Sequence, residues 1–237
     1  MLALGVALSF AVSAFIHTTA GFGAGMVAMA LLVPLIGLTT AAPLVALVIL
    51  PLECVIIWRY LEHLNMDALR DMLLALLIGT PIGIWGLKWL DEGVLLPALG
   101  TVILVYVAYN VSGKQITLDA RRRWPVLFGL SAGILAGAYN SAGPPIVVYF
   151  RARGYGPDAF RVNVQMTFAI GTLFVIAGHA LSGNVSGDVF GYFVVALPGL
   201  VAGFGAGVIA AKRISANTFH WLVLLLLTLL GVNLLLG

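Results

Sequence analysis

The chain has 237 residues, 62% of them hydrophobic and only 9% charged, with a formal net charge of +3 and a mean hydropathy of +1.10. A soluble domain is roughly 45–50% apolar and about 25% charged, so this composition excludes one and marks a multi-span integral membrane protein. The apolar runs are long and do not alternate, which selects spanning helices over a closed β-barrel.

The first apolar segment covers 2–20. No basic stretch precedes it and it stays apolar well past Phe10, so it reads as a span and not as a cleaved signal. A second segment covers 22–37. Between them "HTTAGFGAG" breaks the helix with Gly21, Gly23 and Gly25. Further segments follow at 41–58, 69–87 and 94–111. Glu53 is the carboxylate set well inside a span. Cys54 is the single cysteine, which excludes an internal disulfide and a multi-Cys metal site. The stretch 112–124 is a basic linker carrying Lys114 and Arg121–Arg123.

The second half repeats this plan, with segments at 125–140, 142–150, 162–181, 189–211 and 218–236. Its break, "AGAYNSAGPP", carries Gly137, Gly143 and the paired Pro144 and Pro145. The segment 142–150 is too short to cross, because a spanning helix needs about 20 residues. The first two segments of each half therefore read as a helical hairpin, re-entrant in form, with its tip inside the membrane.

The halves also match residue by residue. "SAFIHTTAGFGAG" (Ser13–Gly25) aligns without gaps on "SAGILAGAYNSAG" (Ser131–Gly143) at an offset of about 118. Asn65 pairs with Asn184 and Asn110 with Asn233 at slightly larger offsets. The expected organisation is a first membrane repeat over 1–111, the linker 112–124, and a second repeat over 125–237. The pI of about 9.2 reflects basic loops and not a nucleic-acid partner. Arg59, Arg70, the linker, Arg151, Arg153, Arg161, Lys212 and Arg213 all fall on one side if the other segments each cross once. Lys88 falls opposite. By the positive-inside rule the basic side is cytoplasmic, and both termini face out. An odd number of segments per repeat then inverts the second half. Inverted repeats with matched Gly/Pro breaks are the signature of secondary transporters that bind substrate near the midplane.

The breaks hold the candidate substrate site. His17, Thr18 and Thr19 lead into Gly21, Gly23 and Gly25. Tyr139, Asn140 and Ser141 lead into Gly143 and Pro144. Proline has no N–H and ends a continuous helix. The freed N–H groups at a half-helix start carry partial positive charge and bind anions. Taken singly, each residue also fits plain packing or back-bonding to a carbonyl. Their recurrence in both halves favours a site. Asn163 and Gln165 are candidates for the cytoplasmic approach, or for ordinary interhelical hydrogen bonds. Glu53 and His17 are candidates for ion coupling, or for structural hydrogen bonding. Phosphate-loop, H-E-x-x-H, Cys/His-cluster and G-x-S-x-G patterns do not occur, so no metal or organic cofactor is expected.

The paired signatures "AGFGAG…LLVP" and "AGAYNSAGPPIVVYF" resemble those of the TauE/SafE sulfite exporter family, also called the 4-toluenesulfonate uptake permease family. The resemblance covers nearly the whole chain. Family members more often carry a longer glycine run before the two prolines, where Asn140, Ser141 and Ala142 stand here. The resemblance implies transport of sulfite, sulfoacetate or other organosulfonate anions across a bacterial cytoplasmic membrane. An exporter is the leading expectation, and an importer coupled to protons or cations is the alternative. From other classes, an intramembrane hydrolase would use Ser141 with His17 or His179, and a membrane scaffold would need no site. The possible partners are a small anion, the lipid bilayer and a second copy of the chain.

Overall fold

In lipid a backbone satisfies its polar groups only within helices or a closed barrel. The computed structural model answers with helices alone, and no strand occurs among the described residues. It describes residues 1–20, 22–114, 116–119, 121, 123–210, 213 and 216–236. Gly21, Arg122 and Lys212 lie outside the described residues.

The first half contains α1 (Leu2–Ala20), α2 (Ala24–Ile36), α3 (Leu38–Tyr60), α4 (Met66–Trp89) and α5 (Glu92–Val111). The second contains α6 (Arg123–Tyr139), α7 (Gly143–Ala152), α8 (Pro157–Leu181), α9 (Gly187–Ala210) and α10 (Ala216–Leu236). Each expected segment corresponds to one helix. The largest offset in a boundary is at α8, which starts at Pro157 and not at 162. Proline suits the first helical position and Asp158 complements the first turn. Hydropathy marks where lipid begins, whereas the helix begins where its hydrogen bonding does. The chain is a multi-pass membrane protein: α1, α3, α4, α5, α8 and α9 are long and apolar enough to cross a bilayer. Large apolar side chains such as Leu4, Ile78, Val201 and Leu229 face outward, as lipid contact allows. By contrast, α2 has 13 residues and α7 has 10. At 1.5 Å rise per residue they extend roughly 20 Å and 15 Å, short of a hydrocarbon core about 30 Å thick.

The halves interleave. The most extensive pairings are α4 with α6 and α1 with α9, followed by α3 with α8 and α5 with α10. Exchanging the halves converts the first pairing into the second and leaves the other two unchanged.

Glycine stripes make the two tightest pairings. Gly129, Gly133 and Gly137 of α6 lie against the backbones of Met72, Leu76 and Thr80 on α4. Gly199, Gly203 and Gly207 of α9 lie against Ala7, Ala11 and Phe15 of α1. Contacts advance together along both members of each pair, so each pair runs parallel. Lipid tails are as apolar as leucine, so close van der Waals approach is the available attraction. A Cβ at Gly203 would collide with the carbonyl group of Ala11, whereas one at Gly205 would meet nothing within 4 Å. Gly203→Ala is expected to lower stability by about 1–3 kcal/mol. Gly205→Ala in the same helix should raise it by about 0.5–1 kcal/mol. Thermal unfolding of the detergent-solubilised protein checks both signs.

Candidate functional site

Two helix breaks face each other in the interior. The chain leaves α1 at Ala20 and begins α2 at Ala24, with Gly23 at φ 95. That left-handed conformation suits glycine, which has no Cβ to clash. The chain leaves α6 at Tyr139, and Asn140 follows at φ 50. Asparagine is among the few residues that take this left-handed helix-end position without glycine. Its side-chain Nδ2 donates to the Ala42 carbonyl on α3 at 3.4 Å. The Ser141 N–H closes the end of α6 on the Leu135 carbonyl at 3.1 Å. The breaks then touch. A Cβ at Gly25 would overlap the carbonyl oxygen of Asn140, so only glycine permits this approach.

A cavity of about 40 Å³ lies at the junction. This is room for a few waters. Its walls include Gly23–Met26 from the start of α2 and Ser141–Gly143 from the start of α7. The first N–H of α2 to find a carbonyl belongs to Val27, which bonds Gly23 at 3.1 Å. The N–H groups of Ala24, Gly25 and Met26 therefore have no partner within the helix. In α7 the Gly143 N–H is left over, and Pro144 and Pro145 have none to offer. Both helix dipoles present their positive ends to one small space.

Three buried side chains complete the lining. Ser141 is 2% exposed, His17 2% and Glu53 4%. Ser141 Oγ, His17 Nδ1 and Glu53 Oε2 have no hydrogen-bond partner among the described residues. Gln165 Nε2 lies 3.4 Å from His17 Nε2. An amide nitrogen only donates, so in this orientation His17 Nε2 accepts and the neutral ring carries its proton on the unpartnered Nδ1. Thr172 Oγ1 donates to Glu53 Oε1 at 3.3 Å.

The expected site residues divide accordingly. His17, Gly23, Gly25, Asn140, Ser141, Gly143 and Glu53 line the cavity, and Gln165 stands behind His17. Gly21 lies outside the described residues. Thr18 and Thr19 point their hydroxyls back at the carbonyls of Ala14 and Phe15, both at 2.7 Å. Tyr139 packs in the apolar core, and Pro144 is buried without lining the cavity. Asn163 ties α8 to the preceding turn, accepting from Asn65 N–H at 3.1 Å and donating to Ala159. Thr172, Gly171 and Phe168 of α8 also line the cavity, and sequence reasoning missed them. Thr172 lies 119 residues after Glu53, close to the repeat offset, and that signal was available. Because Ser141 Oγ makes no hydrogen bond, the Ser–His pair that a hydrolase needs is not formed with His17 or His179.

A second, wider cavity of about 790 Å³ opens where the linker meets the far end of α7. Lys114, Arg151 and Arg161 line it together with Tyr109 and Tyr155; among the described residues no carboxylate lines it, although Arg161 pairs with Asp158 at 3.8 Å. Arg151 Nη1 donates to Asn110 Oδ1 at 3.2 Å. Nearby, the linker is pinned: Leu118 N–H bonds the Ala152 carbonyl at 3.1 Å, and Arg153 Nη1 donates to Asp119 O at 2.8 Å. Helix α7 thus runs from the small buried cavity to this basic bowl.

The sequence matches the family described as sulfite exporter TauE/SafE over residues 6–234. A protein of Cupriavidus necator named "Probable sulfite/organosulfonate exporter TauE" is 24% identical over 204 residues, covering 84% of this chain and 80% of that protein. No solved structure matches. With the family match running almost from end to end, this chain belongs to the TauE/SafE sulfite exporter family.

Proposed function

We propose that the chain is a secondary transporter that exports small sulfur-containing anions, such as sulfite, sulfoacetate or other organosulfonates, through the cavity between α2 and α7. One observation carries this reading: two half-helix N-termini converge on a half-open interior cavity with N–H groups left over from their helices, a serine hydroxyl without a partner among the described residues and a histidine nitrogen. Such groups recognise an anion through partial charges. They hold it without the deep electrostatic trap that a buried arginine would make, so release stays feasible. An interior-negative potential favours outward movement of a monoanion by about 2.3 kcal/mol per 100 mV where no proton moves with it.

Residues 1–111 and 125–237 are inverted repeats in this reading. The pairings that survive exchange of the halves support it, as does the matching of the two breaks at one offset. The protein then sits in a bacterial cytoplasmic membrane with its basic loops inside and both termini outside. The basic bowl becomes the cytoplasmic vestibule. Lys114, Arg151 and Arg161 raise the local concentration of anions there, and α7 spans the roughly 15 Å to the binding cavity.

Purified protein in proteoliposomes tests this. Sulfite efflux down its own concentration gradient is expected, and Ser141→Ala should weaken apparent affinity about tenfold or more, the loss of one hydrogen bond to a charged ligand. Gly25→Val should abolish flux by closing the cavity, and Thr18→Ala should leave it unchanged. Efflux that persists through both Ser141→Ala and Gly25→Val would sink the site.

Orientation has its own test. In a Cys54→Ser background, Lys114→Cys should react with an impermeant maleimide only from the cytoplasmic side, and Lys88→Cys only from outside. The opposite pattern overturns the orientation.

A further inference from the structure

Glu53 is out of character in a cavity built of donors. Its carboxyl group lines the same 40 Å³ space as Ser141, His17 and the starts of α2 and α7. Thr172 satisfies Oε1, and Oε2 is left without a partner. No salt bridge to Glu53 occurs among the described residues. From the elements packed around it, α1 contributes His17 to the cavity, and among the described residues α2, α6, α7, α8 and α9 contribute no titratable side chain to its lining.

We infer that Glu53 is a proton site coupled to the anion site, so that an anion occupies the cavity only with a proton on the Glu53 carboxyl group. This rests on the transport reading above and adds a second ligand to it. An ionised Glu53 and an anion would place two like charges within a few ångströms, where little water screens them. A proton on Oε2 removes one of those charges. It also converts the unpartnered acceptor into an O–H donor aimed at the anion. The coupling is reciprocal: the proton tightens anion binding, and the anion tightens proton binding by the same factor. His17 is the competing candidate, because a charged imidazolium would also favour an anion.

Methanesulfonate is the probe, because its sulfonate stays a monoanion across the working pH range and sulfite does not. Calorimetric titration of the purified protein should show affinity falling about tenfold per pH unit on the alkaline side of the Glu53 titration. Repeating the titration in buffers of different ionisation enthalpy should show about one proton taken up per anion bound. E53Q should bind with an affinity independent of pH and take up no proton, whereas H17Q should keep the pH slope. The inference is overturned if wild-type binding is flat with pH and takes up no proton. It is also overturned if the slope survives in E53Q or disappears only in H17Q. Should E53Q fail to fold, the wild-type proton uptake and the H17Q slope still decide. Failure of the wild-type protein to bind any sulfonate at any pH overturns the anion-transport reading itself, and the coupling with it.

Discussion

A backbone N–H enclosed by lipid and protein has no water to bond, and that constraint governs this structure. An unbroken helix meets it at every residue except the first turn. By breaking two helices in the interior, the chain creates two first turns where satisfaction has to come from elsewhere. It brings them together at Gly25 and Asn140, so the unsatisfied donors of α2 and α7 share one cavity. The site is thus made of what two ordinary helix starts lack. In the function proposed above, a small oxyanion with several acceptor oxygens and negative charge would supply it.

Such a cavity is useful only if its walls hold still, and the bundle arranges this through glycine. The helix that delivers Asn140 and Ser141, α6, is clamped by its stripe to α4. The helix that delivers His17, α1, is clamped to the stripe on α9. Each site-bearing helix is therefore fixed by a helix of the other half. Polar contacts between helices are few. Gln165 to His17, Thr172 to Glu53 and Asn140 to Ala42 are of a kind worth about 0.6 kcal/mol each in membranes. A one-carbon addition to a glycine stripe costs more than any one of these, so packing sets the helix positions and the hydrogen bonds orient side chains within that frame.

The fold was legible in the sequence to the extent that hydropathy and helix-breaking chemistry determine it. Ten apolar runs correspond to α1–α10, and the short α2 and α7 follow from the breaks at Gly23 and Gly143. Side-chain direction was not legible. Thr18 and Thr19 have the right chemistry for the site, but each sits one turn beyond a carbonyl it can reach, and a helical threonine bonds there first. Asn163 fits either the cytoplasmic approach or a structural hydrogen bond by sequence, and the bond it accepts from Asn65 N–H could not be read there because Asn65 is remote in sequence. The stripe Gly129, Gly133, Gly137 was legible as a four-residue spacing. Overall glycine abundance hid it, and only the partner backbone reveals which glycines carry contacts.

Near-symmetry sharpens the meaning of Glu53. Glu53 and Thr172 stand 119 residues apart and touch, on α3 and α8, the pair that exchange of the halves maps onto itself. In the inverted-repeat reading proposed above, these equivalent positions would have carried the same residue in the ancestral repeat. Two glutamates meeting there would repel when ionised, and two threonines would leave the cavity with no titratable group besides His17. The present pair keeps a single carboxyl group and gives it a neutral hydroxyl donor. One oxygen is thereby bonded and the other has no partner among the described residues. On that reading, duplication would supply the matched helix starts. The difference between the two halves at this one contact is what gives the cavity a second chemical variable.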